Sequence, residues 1–524
     1  MIRKIFLALL VATTGLSACA VNPVTGDRNF QIYGTDWEQQ VGTQMYAPMK
    51  QSQGGEFILD PELTAYVQGV GNRLAAQARR KDQLQFEFSV LNDSTPNAWA
   101  LPGGKIVVNR GLLINLSSEA ELAAVLGHEI VHADAAHGAR AQSKGMLTQV
   151  GAIATMVILG STIESQSGRQ VAMMVPALGA QLLNQKYGRD AERESDEFGM
   201  LYMSEAGYNP QGAVELQKTF VELSKERNES WINGLFASHP PSMERVRNNI
   251  KTAEGLPAGG EMGREIYQQK MAYLNRVQPA YQAYDEARKA VAEDQVDVAQ
   301  EKINRALSIE PRESLFHDLQ GDIFALQDQN KRALKSYQKA VRANPGFFYG
   351  YLRQGQMQYL LDEPGPARSN LTQSLELMPT AEAHYLLGML DKGQGNISGA
   401  MEHFTVAAES ESETSQKATR ELVLLDLQNN PGKYVGSRVA VDSENQVWVQ
   451  FGNLTQVPVK NIVISYAWLD QQGQTRQGKK TFRGTLGGGE QDRMKLGIRL
   501  DDAGELSRRV RAEVTGATIV SDRP

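Results

Sequence analysis

The sequence predicts three folds in series: a mostly α domain with a small β-sheet, an α-solenoid of repeats, and a C-terminal all-β sandwich. Three observations carry that prediction. Apolar residues recur at helical spacing through Leu122, Val125, Leu126 and Ile130. Pro311, Pro345 and Pro379 are spaced 34 residues apart. Beyond Asn430-Pro431-Gly432, apolar and polar residues alternate. At 524 residues and 57.7 kDa the chain exceeds what one core accommodates, so two to four domains are expected. A composition of 41% hydrophobic and 22% charged residues is that of a globular protein. A net charge of -6 gives no reason to expect nucleic acid as a partner.

The amino terminus reads as a processing signal. Arg3 and Lys4 precede a mostly apolar run from Ile5 to Thr14, and Leu16-Ser17-Ala18-Cys19 closes it with two small residues before the cysteine. That ending resembles a bacterial lipobox, which implies removal of residues 1–18 and diacylation of Cys19. Residues 19–35, with Pro23, Gly26 and Gly34, then read as a lipid-attached tether. Cys19 is the only cysteine, which rules out internal disulfides and a Cys-ligated metal. No later segment reaches the roughly 18 uninterrupted apolar residues of a membrane span; Val150 to Gly160 is too short. Multiple acyl chains make a stable anchor, so the expectation is a protein tethered in the periplasm. Ala20, where Asp usually retains lipoproteins at the inner membrane, favours the outer membrane.

Residues 36–255 carry the chemistry. Ser118 with Glu121 fits a capping box at the start of a helix. On that helix His128 and His132 are four apart, about 40° around its axis, so both imidazoles reach one metal ion. Glu129 sits beside them, placed to take a proton from the attacking water. His137, five residues past His132, is expected to point about 140° away and is excluded as a ligand. A catalytic zinc needs a third protein ligand. In YGRDAERESDEFG, Glu192 and Asp196 are again four apart. Glu192 is the candidate ligand, Asp196 the group that orients a ligand histidine from behind, and Glu194 faces elsewhere. The cofactor expected is one zinc ion.

Leu256-Pro257-Ala258-Gly259-Gly260 breaks the pattern, and residues 256–277 read as a linker. Residues 278–430 repeat. KINRALSIEP, SYQKAVRANP and NLTQSLELMP each close on a proline, and Gly321 and Gly355 keep the same spacing. A period of 34 is the tetratricopeptide signature, and such repeats bind polypeptide segments. A fourth unit follows with Gly388 slipped by one residue. In residues 431–524, Val447, Val449 and Phe451 share one strand face, and Ile462, Ile464, Tyr466 and Trp468 another. Six or seven such strands suggest an immunoglobulin-like sandwich. It has no histidine or cysteine and nothing catalytic.

HEIVH, GRDAERESD and FASHPPSMERV together resemble the HtpX/BepA branch of the gluzincins, the zinc metallopeptidase family that also contains the CAAX prenyl proteases. The resemblance covers residues 20 to about 250. Ser195 stands where Ala is usual. NAWALPGGKIVVNRGLL, Asn97 to Leu113, is similar to the family strand that borders the cleft, where a substrate could pair as an added strand. NPVTG after Cys19 is similar to lipoprotein members. Ser238-His239-Pro240-Pro241 matches the family's later Ser-His-Pro, with Arg245 in support. Three roles are open to His239: it polarises the peptide carbonyl and stabilises the oxyanion, it fills the open zinc position and keeps the enzyme latent, or it is a structural histidine.

The reading is a lipid-anchored periplasmic zinc endopeptidase, with zinc on His128, His132 and Glu192 and catalysis by Glu129 and His239. What the resemblance implies further is degradation of misfolded or stalled outer-membrane proteins recruited by the repeats. Its partners would be unfolded or misassembled polypeptides and the outer-membrane assembly machinery. The alternative is a non-catalytic repeat scaffold or chaperone lipoprotein. A membrane-embedded prenyl protease would need spanning helices that the sequence lacks.

Overall fold

The computed structural model describes residues 19–145, 187–225, 229–410 and 412–520; residues 1–18 and the run Val150 to Gly160 lie outside them. No helix among the described residues is long and apolar enough to cross a membrane. The chain divides into two compact units, Met1–Arg353 and Gln354–Pro524.

The first unit opens with a hairpin of β1 (Cys19–Val21) and β2 (Arg28–Phe30), paired antiparallel. Asn22 closes its turn. Its backbone N–H donates to Asp27 O at 2.7 Å and its side-chain oxygen accepts from Val24 N at 2.9 Å, while Val24 is buried in the main core. This segment is therefore a folded, packed element where the sequence suggested a free tether. The asparagine side chain, which substitutes for a backbone partner in such turns, is the reason.

Helices α1 (Thr35–Ser52) and α2 (Pro61–Ala75) precede a three-stranded sheet of β3 (Glu87–Leu91), β4 (Ala98–Leu101) and β5 (Lys105–Asn109). Its order is β3-β5-β4, with β3 parallel and β4 antiparallel to the central β5, so β4 is an outer strand. Val41, Met45, Tyr46 and Met49 of α1 cover one side through Leu91, Trp99, Leu101 and Val107. The alternate residues Phe88, Val90, Ala98, Ile106 and Val108 join the main core with α3 (Glu119–Asp134). Helix α3 is buried along its whole length, and α4 (Arg189–Glu205) packs against it.

Residues 256–277 are not a free linker either. The carbonyls of Met262 and Gly263 accept from Ala120 and Glu119 N–H at 3.1 and 3.4 Å, which satisfies donors that the first turn of α3 would otherwise leave bare. Within the same stretch Tyr267 is buried and donates to Leu113 O at 2.6 Å. The Gly and Pro signals locate the chain reversals but say nothing about what packs on them.

Paired helices then follow from Ala272–Ala292 to Ile397–Ala408, with Glu413–Asp426 after them. Asp294, Asp328 and Asp362 adopt left-handed φ of 58°, 58° and 59° between the helices of successive pairs. The fourth pair has Gly395 instead, 33 residues on, at φ 77°. The one-residue slip at Gly388 is thus a shortening of the preceding inter-repeat connection. A Cβ at Gly321, Gly355 or Gly388 would meet Tyr337, Leu371 or Phe404 at 2.4 to 2.6 Å, which is why the first helix of each pair needs a small residue there. In the second unit, strands β6 to β11 (Val435–Val441, Gln446–Asn453, Val459–Leu469, Thr475–Leu486, Gln491–Arg499, Val510–Ile519) form two three-stranded antiparallel sheets, ordered β10-β7-β6 and β11-β8-β9. Val447, Val449 and Phe451 share one apolar cluster with Ile462 and Ile464.

Candidate metal centre

Helix α3 begins where the Ser118 hydroxyl accepts from Glu121 N–H at 3.2 Å. Two turns on, it presents His128 and His132 to α4, whose Glu192 and Asp196 face them. The helices can approach because each has a glycine at the crossing: a Cβ on Gly127 would lie 3.0 Å from Gly199 O, and one on Gly199 3.0 Å from His128 N. His128 Nε2 and His132 Nε2 are 3.0 Å apart, and Glu192 carboxylate oxygens stand 3.6 and 3.5 Å from them. His239, at the end of the short helix Leu235–Ser238, brings Nδ1 to 3.2 Å from His128 Nε2 and 2.9 Å from Glu192 Oε1. The four residues are buried, and their ligand atoms all lie within 4.8 Å of one another.

This group fits zinc. A tetrahedral ion with bonds of about 2.0–2.1 Å separates its ligand atoms by roughly 3.3–3.4 Å, close to the spacings present. The donor set, imidazoles with one carboxylate, is the expected chemistry. Asp196 Oδ1 lies 3.0 Å from His128 Nδ1. A carboxylate there makes Nδ1 the protonated nitrogen and leaves Nε2 as a bare lone pair aimed into the group.

Arg245 holds Asp196 with both arms of its guanidinium, Nε to Oδ2 at 2.8 Å and Nη2 to Oδ1 at 2.7 Å, and brings Nη1 to 3.0 Å from Glu192 Oε2. Burial alone would raise Asp196, and the Arg245 charge and hydrogen bonds hold it below its ordinary value. Glu192 follows the same logic: burial opposes its charge, but His239 and His128 pull it well below the carboxylate range. His132 is pushed well down, chiefly by burial. Glu129 is raised, first by burial and against the pull of His239 and His128. It is 2% exposed, its Oε2 accepts no hydrogen bond among the described residues, and His239 Nε2 is 3.6 Å from its Oε1. A carboxyl displaced upward is suited to exchanging a proton near neutral pH.

A small cavity of about 40 Å³ touches His128, Glu129, Asp196, His239 and Arg245. Tyr187 stacks on His132 with centroids 4.0 Å apart. His137 departs from its expected direction. Helix α3 ends at Asp134, Ala136 turns left-handed at φ 54°, and the His137 ring comes back to put Nδ1 2.8 Å from His132 Nδ1. Sequence reasoning missed it by continuing the helix past its end. Glu194, expected to face elsewhere, points to His137 on the far side of the site from the ligands. Ser195 is fully buried, with no partner for its hydroxyl among the described residues.

Comparisons with known proteins match the part of the chain that holds this group. Residues 61–253 match the model of Peptidase family M48. Mitochondrial metalloendopeptidase OMA1 of Schizosaccharomyces pombe is 32% identical over 237 residues, covering 45% of this chain and 66% of that protein. The beta-barrel assembly-enhancing protease of Escherichia coli is 27% identical over 423 residues, covering 69% and 83%. Among solved structures, MamA residues 41 to the end from Desulfovibrio magneticus matches at 18% identity and a TM-score of 0.27, covering 30% of this chain and 88% of that one. With an M48 match from Pro61 to Ala253 that contains every residue of the buried His/Glu group, the chain carries a Peptidase family M48 domain and is a metalloprotease.

Proposed function

We propose that the chain is a lipid-anchored periplasmic zinc endopeptidase that degrades misfolded or stalled outer-membrane proteins. The convergence of His128, His132 and Glu192 beside a buried, upward-shifted Glu129 carries the enzymatic part. Zinc, when bound there, polarises the scissile carbonyl and lowers the pKa of a water towards about 7. Glu129 accepts the proton of the attacking water and hands it to the leaving amine. Asp196, clamped by Arg245, keeps His128 oriented. An added substrate strand on β4 would bring the peptide alongside the site.

His239 is the fourth donor of the group, so with His128, His132 and Glu192 it leaves a tetrahedral ion no open position. That supports the latent reading: His239 closes the site, and substrate entry requires residues 234–241 to move. Cleavage of an unfolded protein should then rise in His239→Ala. A fall would make His239 the oxyanion-stabilising group instead.

Envelope location rests on the lipobox-like LSAC, and recruitment of misassembled polypeptides on the 34-residue repeats. The name of the Escherichia coli relative supports a link to β-barrel assembly, and the C-terminal strands are read as an immunoglobulin-like positioning module. The deciding experiment compares the protein with Glu129→Gln for zinc content and for cleavage of unfolded protein. One zinc per chain in both, with cleavage only in the unsubstituted protein, is the expected result. Equal cleavage, or none in either, leaves the scaffold or chaperone alternative.

A further inference from the structure

His137 is buried beside the metal centre, and the chemistry above leaves it without a role. Its Nδ1 lies 2.8 Å from His132 Nδ1, and the two rings meet edge-on with centroids 4.8 Å apart. On its other side, Nε2 is 3.4 Å from Glu194 Oε2. Glu194 accepts from Asn22 Nδ2 at 2.6 Å, and Arg140 Nη2 lies 3.4 Å from its Oε2. Asn22 is 3% exposed and is itself fixed by the turn of the amino-terminal hairpin. A second tie, from Ile32 N–H to Ser143 Oγ at 3.0 Å, fastens the chain just after the hairpin to the helical residues 137–145.

Protons can be placed along this path in only one way that leaves His132 Nε2 free to bind a metal. His132 must carry its proton on Nδ1 and donate it to His137 Nδ1. His137 then carries its own proton on Nε2, facing the Glu194 carboxylate, whose other oxygen receives the Asn22 amide. The His132–His137 and Asn22–Glu194 contacts then each have one donor and one acceptor, while His137 Nε2–H faces Glu194 Oε2 across 3.4 Å without a formed hydrogen bond. The arrangement mirrors the other ligand, where His128 Nδ1 faces Asp196 and Asp196 is held by Arg245. A metal-binding imidazole fixed through its second nitrogen gains both orientation and the correct tautomer.

We propose that His137, Glu194 and Asn22 are positioning residues that hold His132 through its Nδ1–H. The hairpin carrying NPVTG is then a working part of the metal centre. The proposal rests on His132 being a zinc ligand, as read above.

The test uses the full chain in detergent and measures its zinc dissociation constant by competition with a chromophoric chelator. His137→Ala should bind zinc about 10–100-fold more weakly, the usual effect of removing such a partner. His137→Asn should recover most of that loss, since its amide oxygen can accept the same proton. Asn22→Ala should weaken zinc by several-fold in the unsubstituted chain and add nothing in the His137→Ala background. Ser143→Ala, which removes the second tie and the Ser143 bond to Ala139 O but none of the contacts from Asn22 to His132, should leave zinc affinity unchanged.

Zinc affinity within about two-fold of the parent in a folded His137→Ala protein overturns the proposal. So does His137→Asn binding as weakly as His137→Ala, because a structural role would not distinguish a side chain that accepts from one that does not. Should His137→Ala fail to fold, the asparagine and Asn22→Ala variants decide. A parent chain without zinc would instead overturn the ligand assignment itself, and the two failures are told apart by that one measurement.

Discussion

At the scale of single residues, Arg245 has more influence than its position in sequence suggests. It is the only cation among the described residues that hydrogen-bonds Asp196. Arg245→Ala would leave a buried carboxylate without its partner, at a cost of about 3–5 kcal/mol. Arg245→Lys should not restore the loss, since an ammonium cannot make the two-armed contact; thermal or denaturant unfolding of both variants checks this. Ser195→Ala is expected to go the other way, raising stability by up to about 1 kcal/mol by deleting a buried hydroxyl that has no partner. Of the site residues, Glu192 and Asp196 were legible because four-residue spacing places both on one helix face. His137 was not legible: nothing in Ala133-Asp134-Ala135-Ala136 marks the left-handed residue that turns the chain back. Asn22 was hidden for another reason, because its partner Glu194 is 172 residues away.

At the scale of elements, the crossing of α3 and α4 sets the metal centre through two glycines. Gly199→Val should force the helices apart at His128, lowering stability by about 1–3 kcal/mol and weakening zinc binding; Gly199→Ala should do less of both. In the second unit, the end of helix Glu413–Asp426 offers a pH test. Asp426 accepts from Asn430 Nδ2 at 2.6 Å, Tyr434 hydroxyl at 2.8 Å and Lys433 Nζ at 3.3 Å. Burial works against its charge, but these donors hold it below its ordinary 3.8. A lowered carboxylate stabilises the fold fully above that ordinary value and loses the contribution as pH falls through the folded value. Asp426→Asn should therefore destabilise at pH 7 by about 1–3 kcal/mol, with the difference from the parent shrinking below pH 3.8; unfolding midpoints across pH measure it. The repeats were legible because a 34-residue period shows in the chain itself. The packing of residues 256–277 was not, since carbonyls that cap a distant helix leave no trace in side-chain pattern.

At the scale of the whole molecule, the main core runs from Val24 to Ile323 without a break. Arg110 lies over Tyr281 at 3.4 Å from the ring centroid, and donates to Asn92, which in turn donates to Glu313 at 3.0 Å. The peptidase residues and the first repeat helices thus share one interior. A fragment ending at Gly255 should expose that interior and aggregate, whereas one ending at Arg353 should unfold as a single cooperative transition; calorimetry of the two distinguishes them. The hairpin at the other end of the chain bears on where such a molecule can work. If Cys19 carries the lipid, Asn22 is only three residues on, a distance of at most about 10 Å even fully stretched. Sixteen loose residues would have given a leash of some 50 Å. The metal centre would therefore patrol the bilayer surface itself, and a flexible insert between Cys19 and Ala20 should extend its reach to substrates held farther from the membrane.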